Sequence, residues 1–325
     1  MKKIKFIDLF AGAGGLTLGF VKNGFEPIET IEFWKPATET YNYNFQTNIQ
    51  TKDITNSNVR NSLKKYQNKI DLVIGGFPCQ GFSMSGKRDK NDPRNQLYRY
   101  TIDVIKKVQP KFFVLENVKG ILSFKEKDNV LVVTKIKNML KNNGYYSKLI
   151  LVDSSKFGVP QKRERVIFIG AKKKYKSKVD QCINEIANYK KPIVTVESAI
   201  KDLETAKENI KFNHIFTKHS KEFKKKIHTT KVGESAMKNF SDAFRRIDYK
   251  KPSPTVKENH GGVFIHPKFD RVLTPRELAR LQSFPDNFIF KGTKSSILKQ
   301  IGNAVPPMLS YAIANIAKGI FYGSK

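Results

Sequence analysis

The sequence predicts an α/β protein in which helices wrap a mostly parallel sheet and a smaller domain follows. Three observations carry this. Apolar runs alternate with helical patterns from residue 4 to about residue 171, the mark of repeated βαβ units. Beyond Gly170 the run Lys172-Lys173-Lys174 opens a lysine-rich, polar stretch that lacks the alternation. A chain of 325 residues is also long enough to bury one large core and one smaller one.

Strands are expected at 4–9, 28–33, 71–75, 112–116, 148–152 and 166–170, each a short apolar run. Helices fill the gaps. The clearest helical period spans 94–107, with Leu97, Ile102 and Ile105 near one face and Arg94, Arg99 and Lys106 toward solvent. Asp92-Pro93 is a good opening for it. Internal repeats and long low-complexity tracts are absent from the sequence.

Sixty basic side chains against 29 acidic ones leave a net charge of +31, which calls for a polyanionic partner. Nucleic acid is the natural one, although charge does not separate DNA from RNA. Lysines outnumber acids in 171–240 about as they do in the whole chain, so both parts are basic, as a cleft between two domains requires. The two cysteines, Cys79 and Cys182, make neither a zinc framework nor a disulfide scaffold and point to a reducing compartment. No run of 18 apolar residues occurs, and the basic amino terminus has no long apolar run, so a soluble cytoplasmic protein is expected.

Phe10-Ala11-Gly12-Ala13-Gly14-Gly15 lies between the first strand and a helix beginning near Leu16. Glycines there let the backbone approach a ligand at a helix amino terminus. The spacing is neither G-x-G-x-x-G nor that of an ATP phosphate cradle. Glu32 ends the second strand, where a ribose diol would be held. A nucleoside-bearing cofactor without a pyrophosphate fits this pattern.

Cys79 follows the third strand in Gly75-Gly76-Phe77-Pro78-Cys79-Gln80-Gly81-Phe82-Ser83, and Glu116-Asn117-Val118 follows the fourth. Carboxyl ends of parallel strands converge on one crevice, so a nucleophile and a carboxylic acid would face a common site. Gln161-Lys162-Arg163-Glu164-Arg165 precedes the sixth strand and supplies planar donors for a base carbonyl or a phosphate. Cys182 reads as a small buried hydrophobe.

In this order, and with Arg271-Val-Leu-Thr-Pro-Arg-Glu-Leu-Ala-Arg-Leu-Gln-Ser-Phe-Pro285 and Gln300-Ile-Gly-Asn-Ala-Val305, the motifs resemble those of the DNA (cytosine-5)-methyltransferase family. They run from residue 6 to about 307. The resemblance implies a Rossmann-like, S-adenosylmethionine-dependent α/β domain (1–180), a small target-recognition domain (181–288) and a return segment (289–325) that completes the first. It implies that Cys79 adds to C6 of a flipped-out cytosine, that Glu116 protonates or hydrogen-bonds N3, and that Arg165 contacts O2 and orients Glu116. Arg163 is a lesser candidate for the same work, and Asn117 shapes the pocket. The methyl group passes to C5 and S-adenosylhomocysteine is left.

By the same resemblance Phe10, Ala11, Gly12, Gly14, Gly15 and Leu16 line the cofactor, Glu32 holds its ribose and Phe33 packs on its adenine. Asp53 and Ile54 read the adenine edge, and Pro78, Leu97, Asn303 and Val305 complete the pocket. The segment 80–92 has the composition of a loop that closes over an extruded nucleotide. Gln80, Ser83, Lys87, Arg88 and Arg94 are assigned to DNA there, and Lys231, Lys238, Arg245 and Arg246 in the variable part.

Two positions depart from the family pattern: Phe77 where many members have proline, and Asn95 where many have glycine. A first motif at residue 6 favours a compact prokaryotic modification enzyme, acting as a monomer on double-stranded DNA, with a restriction endonuclease as a possible partner. An RNA cytosine-5 methyltransferase of the tRNA-modifying branch and a silent DNA-binding regulator stay open as alternatives. A redox or hydrolytic cysteine enzyme would want a histidine base near Cys79, and all five histidines lie beyond residue 213. His214, His219 and His228 lack partners at metal-ligand spacing and are expected in solvent, with no metal bound.

Overall fold

The computed structural model describes residues 3–78, 92–237, 243–258 and 264–323. Six strands, β1 (Ile4–Leu9), β2 (Phe25–Ile31), β3 (Leu72–Gly75), β4 (Phe112–Val118), β5 (Tyr145–Asp153) and β6 (Glu164–Lys172), form one sheet ordered β2-β1-β3-β4-β6-β5. The first four pair in parallel, whereas β6 runs antiparallel to both β4 and β5. All six coincide with expected strands. β2 starts before its expected limit and stops short of its expected end, and β4, β5 and β6 run past theirs, because ladder partners rather than apolar runs set where a strand stops.

Because β2 and β3 flank β1 on opposite sides, the winding reverses there and opens a crevice at the carboxyl ends of β1 and β3. The antiparallel direction of β6 matters to that crevice. Its amino-terminal end lies where β4 terminates, with Val118 opposite Arg165 and Glu116 opposite Ile167.

Side chains alternate across the sheet and build two cores. On one face Phe6, Ile74, Phe112 and Ile169 pack with α1 (Gly15–Lys22), α6 (Lys176–Asn188) and α11 (Pro307–Tyr322). On the other, Ile7, Val73, Phe113 and Phe168 pack with α4 (Leu97–Val108) and α5 (Val132–Asn142). Asp92 opens the 94–107 region by accepting from the Arg94 amide at 2.9 Å, and α4 buries the expected Leu97, Ile102 and Ile105. Each such full burial contributes about 1.5–3 kcal/mol, enough to fix the helix on its apolar face.

A third core belongs to the smaller domain, with Ile200, Ile247, Phe264, Leu278 and Phe288 among its members. Ala13 of the glycine loop also enters it, and Phe45, the last residue of α2 (Lys35–Phe45), packs against it. The division expected at 180/181 falls inside α6, whose Val179, Cys182 and Ile186 all lie in the first core. In the segment expected to return from 289, α10 (Lys294–Asn303) places Ile297 and Ile301 in the third core, and α11 reaches the first.

Candidate active site

At the carboxyl end of β1 the chain turns through three left-handed residues, Phe10, Gly12 and Gly14 (φ 58°, 56° and 95°), before α1 begins. The glycines do two different things here. A Cβ on Gly12 would meet nothing within 4 Å, so this stretch of backbone faces open space, whereas one on Gly15 would strike the carbonyl of Val305. The loop therefore presents bare backbone on one side and clamps the return segment on the other.

Glu32, just past β2, is buried and closes this cradle. The Gly12 amide donates to its Oε2 at 2.8 Å and the Trp34 amide to its Oε1 at 2.7 Å. Burial pushes its carboxyl above the ordinary range, and those amides oppose the shift. Beside it Phe33 is 61% exposed, an aromatic face left to solvent at the mouth of the cradle. The Lys52 amide donates to the Glu32 carbonyl at 2.7 Å, which brings exposed Asp53 and buried Ile54 to the same rim. Ile54 and Leu97 share the second core.

Glu116 and Arg165 meet where β4 ends and β6 starts. Arg165 Nε lies 2.7 Å from Glu116 Oε1, and both side chains are about nine-tenths buried. Gly76 passes so close that a Cβ there would stand 3.1 Å from Glu116 Oε2. Asn117 Nδ2 donates to the Phe77 carbonyl at 3.0 Å, tying the strand that carries Glu116 to the segment leading into Cys79. That bond uses backbone, so phenylalanine in place of proline at 77 leaves it intact. Half-buried Pro78 is the last described residue of this segment.

Not every expected residue gathers here. Arg163 is buried and donates to the carbonyls of Val256 (2.7 Å), Gly302 (2.8 Å) and Ala304 (3.1 Å), which makes it a brace between segments. Arg246 is likewise drawn inward, donating to the carbonyls of Thr230, His266 and Ile227 and to Asp270. Its guanidinium holds the small domain together instead of facing a ligand. Arg245 is half-buried and donates to the Gly233 carbonyl, Lys231 is exposed, and Arg94 is exposed and paired with Asp92. Asn303 is exposed and Val305 buried on the return segment. Cys79, Gln80, Ser83, Lys87, Arg88 and Lys238 lie outside the described residues.

The histidine expectation is corrected in two places: His214 is buried, with its Nδ1 3.0 Å from the Thr274 hydroxyl, and His219 is half-buried, its Nε2 accepting from the Val272 amide, while His228 is exposed. Among the described residues no three His, Cys, Asp or Glu side chains gather as a metal ligand set. Cys182 lies in the core, and burial pushes its thiol up to about 12.

Sequence reasoning missed Asp8. Its fully buried carboxyl lies beneath the glycine loop, accepts from the Thr17 hydroxyl, and is pushed by burial to about 8, with the charge of Glu32 adding to the shift. A lone acid inside an apolar run, Phe6-Ile7-Asp8-Leu9, was the available signal.

Comparison with known proteins agrees with this geometry. Residues 4–318 match the family model of the C-5 cytosine-specific DNA methylases. The chain is 35% identical to the type II methyltransferase M.DdeI of Desulfomicrobium norvegicum, across 96% of this chain and 88% of that one. It is 36% identical to the type II methyltransferase M1.HphI of Haemophilus parahaemolyticus, across 96% and 86%. The crystal structure of a proposed DNA modification methyltransferase encoded in an Escherichia coli prophage superposes with a TM-score of 0.79 at 29% identity, covering 98% of this chain and 99% of that one. The architecture is thus the Rossmann-like methyltransferase fold with a separate smaller domain. The chain belongs to the C-5 cytosine-specific DNA methylase family, enzymes that use S-adenosylmethionine to methylate C5 of cytosine in nucleic acid.

Proposed function

We propose that the protein methylates cytosine within a specific sequence of double-stranded DNA, through a covalent bond between Cys79 and C6, and protects that sequence from a cognate restriction endonuclease. The observation that carries this reading is the buried Glu116–Arg165 pair, set beside the segment that leads into Cys79. The type II description of the two curated relatives supports the modification role.

C5 of cytosine is a poor nucleophile until a group adds at C6. Cys79, as thiolate, is the residue that adds, and its bond splits one difficult step into easier ones. The Glu116 carboxyl shares a proton with N3 as the ring gains negative charge, and Arg165 steers both O2 and the Glu116 carboxyl. Asn117 fixes the strand end to the Cys79 segment. Loss of the C5 proton to water and departure of Cys79 as thiolate then restore the ring. Both faces of the base must be reached, so the cytosine leaves the stack before reaction.

The cradle suits an adenosyl ligand: open backbone at Gly12, a buried carboxyl at Glu32 for a ribose diol and the exposed ring of Phe33 for a base. We assign Phe10, Ala11, Gly14, Gly15, Leu16, Asp53, Ile54, Pro78, Leu97, Asn303 and Val305 to its remaining walls. When bound, S-adenosylmethionine supplies an electrophilic methyl group. Sequence recognition is assigned to the segment from about 189 to 288, with exposed Lys231 among its contacts.

Purified protein incubated with S-adenosylmethionine and unmethylated plasmid tests this, with nucleosides analysed by mass spectrometry. New 5-methylcytosine is expected, lost in Cys79→Ser. Product on transfer RNA alone would move the assignment to RNA, and silence on both would favour a DNA-binding regulator.

A further inference from the structure

Three segments distant in sequence meet behind the Glu116–Arg165 pair. One is the lead-in to β6, one belongs to the small domain around Val256, and one is the return segment at 301–305. Gln161 accepts from the Val256 amide at 2.9 Å while Arg163 donates to the Val256 carbonyl, so both ends of one residue are gripped. The Gln161 amide nitrogen also donates to Gln282 Oε1 at 2.9 Å, and Gln282 donates to the Ile301 carbonyl at 2.6 Å. All three polar side chains are almost fully buried. The approach is tight enough that a Cβ on Gly302 would strike the backbone of Lys257 and Glu258.

We propose that Gln161, Arg163 and Gln282 form a latch that couples cofactor binding to the placement of the small domain, with Arg163 as a positioning residue. This rests on the assignment of Asn303 and Val305 to the cofactor wall. Arg163 binds the carbonyls on either side of Asn303 and, with the same guanidinium, a residue of the small-domain core. Two residues along the chain, Arg165 contacts Glu116. A shift of the small domain on nucleic acid is thereby felt at the cofactor wall and at the catalytic pair. Burial makes the coupling stiff, because carbonyls released from Arg163 would lose a strong donor in a dry site, with only the Ala304 carbonyl keeping a longer bond from Gln282.

The full chain carrying Arg163→Met, Arg163→Lys or Gly302→Ala tests this. S-adenosylhomocysteine affinity is measured by titration calorimetry, and KM for S-adenosylmethionine and kcat on plasmid DNA by product analysis. Arg163→Met is expected to weaken S-adenosylhomocysteine about tenfold or more and raise KM in parallel, with kcat at saturation falling much less. Arg163→Lys should recover part of the loss. Gly302→Ala should reproduce it with the guanidinium intact, and decides the matter if Arg163→Met does not fold. A large fall in kcat with unchanged S-adenosylhomocysteine affinity would overturn the latch and place Arg163 in the chemistry, and so would a Gly302→Ala protein that binds normally. Wild-type protein that makes no 5-methylcytosine, while the variants still lose S-adenosylhomocysteine, would defeat the proposed reaction and leave the latch standing.

Discussion

Glu116 and Arg165 illustrate what single residues contribute. Their 2.7 Å contact depends on the antiparallel register of β4 and β6, and both ions are largely buried, so each needs the other. Glu116→Gln keeps the shape and removes the proton-holding carboxyl. Turnover on plasmid should fall about 10²–10⁴-fold, with S-adenosylhomocysteine affinity in calorimetry nearly unchanged. Asp8 makes a different kind of contribution. Its carboxyl stands near 8 in the folded protein against 3.8 for the free side chain, so between those limits the folded state holds the extra proton. Stability should therefore fall as pH rises from about 4 to 8. Asp8→Asn can still accept from Thr17 and should flatten this fall, read as a melting temperature that changes less from pH 5 to pH 8 than that of the wild type. Glu116, Arg165 and the glycines stood out as candidates because each lies in a short local motif, and Glu32 because it ends a strand. Asp8 and the bracing roles of Arg163 and Arg246 were not, since burial and partners come from segments far along the chain.

Among elements, α1 shows how small side chains set a packing distance. Gly19 faces α11, where a Cβ would strike Ser310 and the Tyr311 amide, and the Ser310 hydroxyl donates to the Leu16 carbonyl at 2.5 Å. Gly19→Ala gains helix propensity but overpacks this contact, so urea denaturation should report a loss of about 1–3 kcal/mol. The strands were read correctly from apolar runs because β1, β3 and β4 are buried on both faces. Strand direction was not, for β6 has the same local texture whichever way it pairs. The cut expected near 180 falls inside a helix for a related reason: the lysine run at 172–174 changes the composition before the packing changes, and α6 still lays three apolar residues on the first core.

For the molecule as a whole, an excess of 31 positive charges is shared between a large domain that does the chemistry and a smaller one joined to it through a buried polar hub. Binding to plasmid duplex should weaken steeply with salt, by at least about tenfold between 50 and 200 mM, as counterion release requires. A titration in which affinity ignores salt would refute an electrostatic DNA surface. Among the described residues no helix is long and apolar enough to cross a membrane.

The covalent step at Cys79 is the central claim, and a substituted substrate tests it most directly. Fluorine at C5 cannot depart as a cation, so after methyl transfer the enzyme would remain bonded to C6. A plasmid fragment that the enzyme methylates is remade with 5-fluorocytosine, incubated with protein and S-adenosylmethionine, and digested for peptide mass spectrometry. The account predicts an adduct of methylated 5-fluorocytosine on the peptide containing Cys79, formed only with the cofactor. Methylation of the ordinary fragment with no adduct on the substituted one, or an adduct on Cys182, would contradict it.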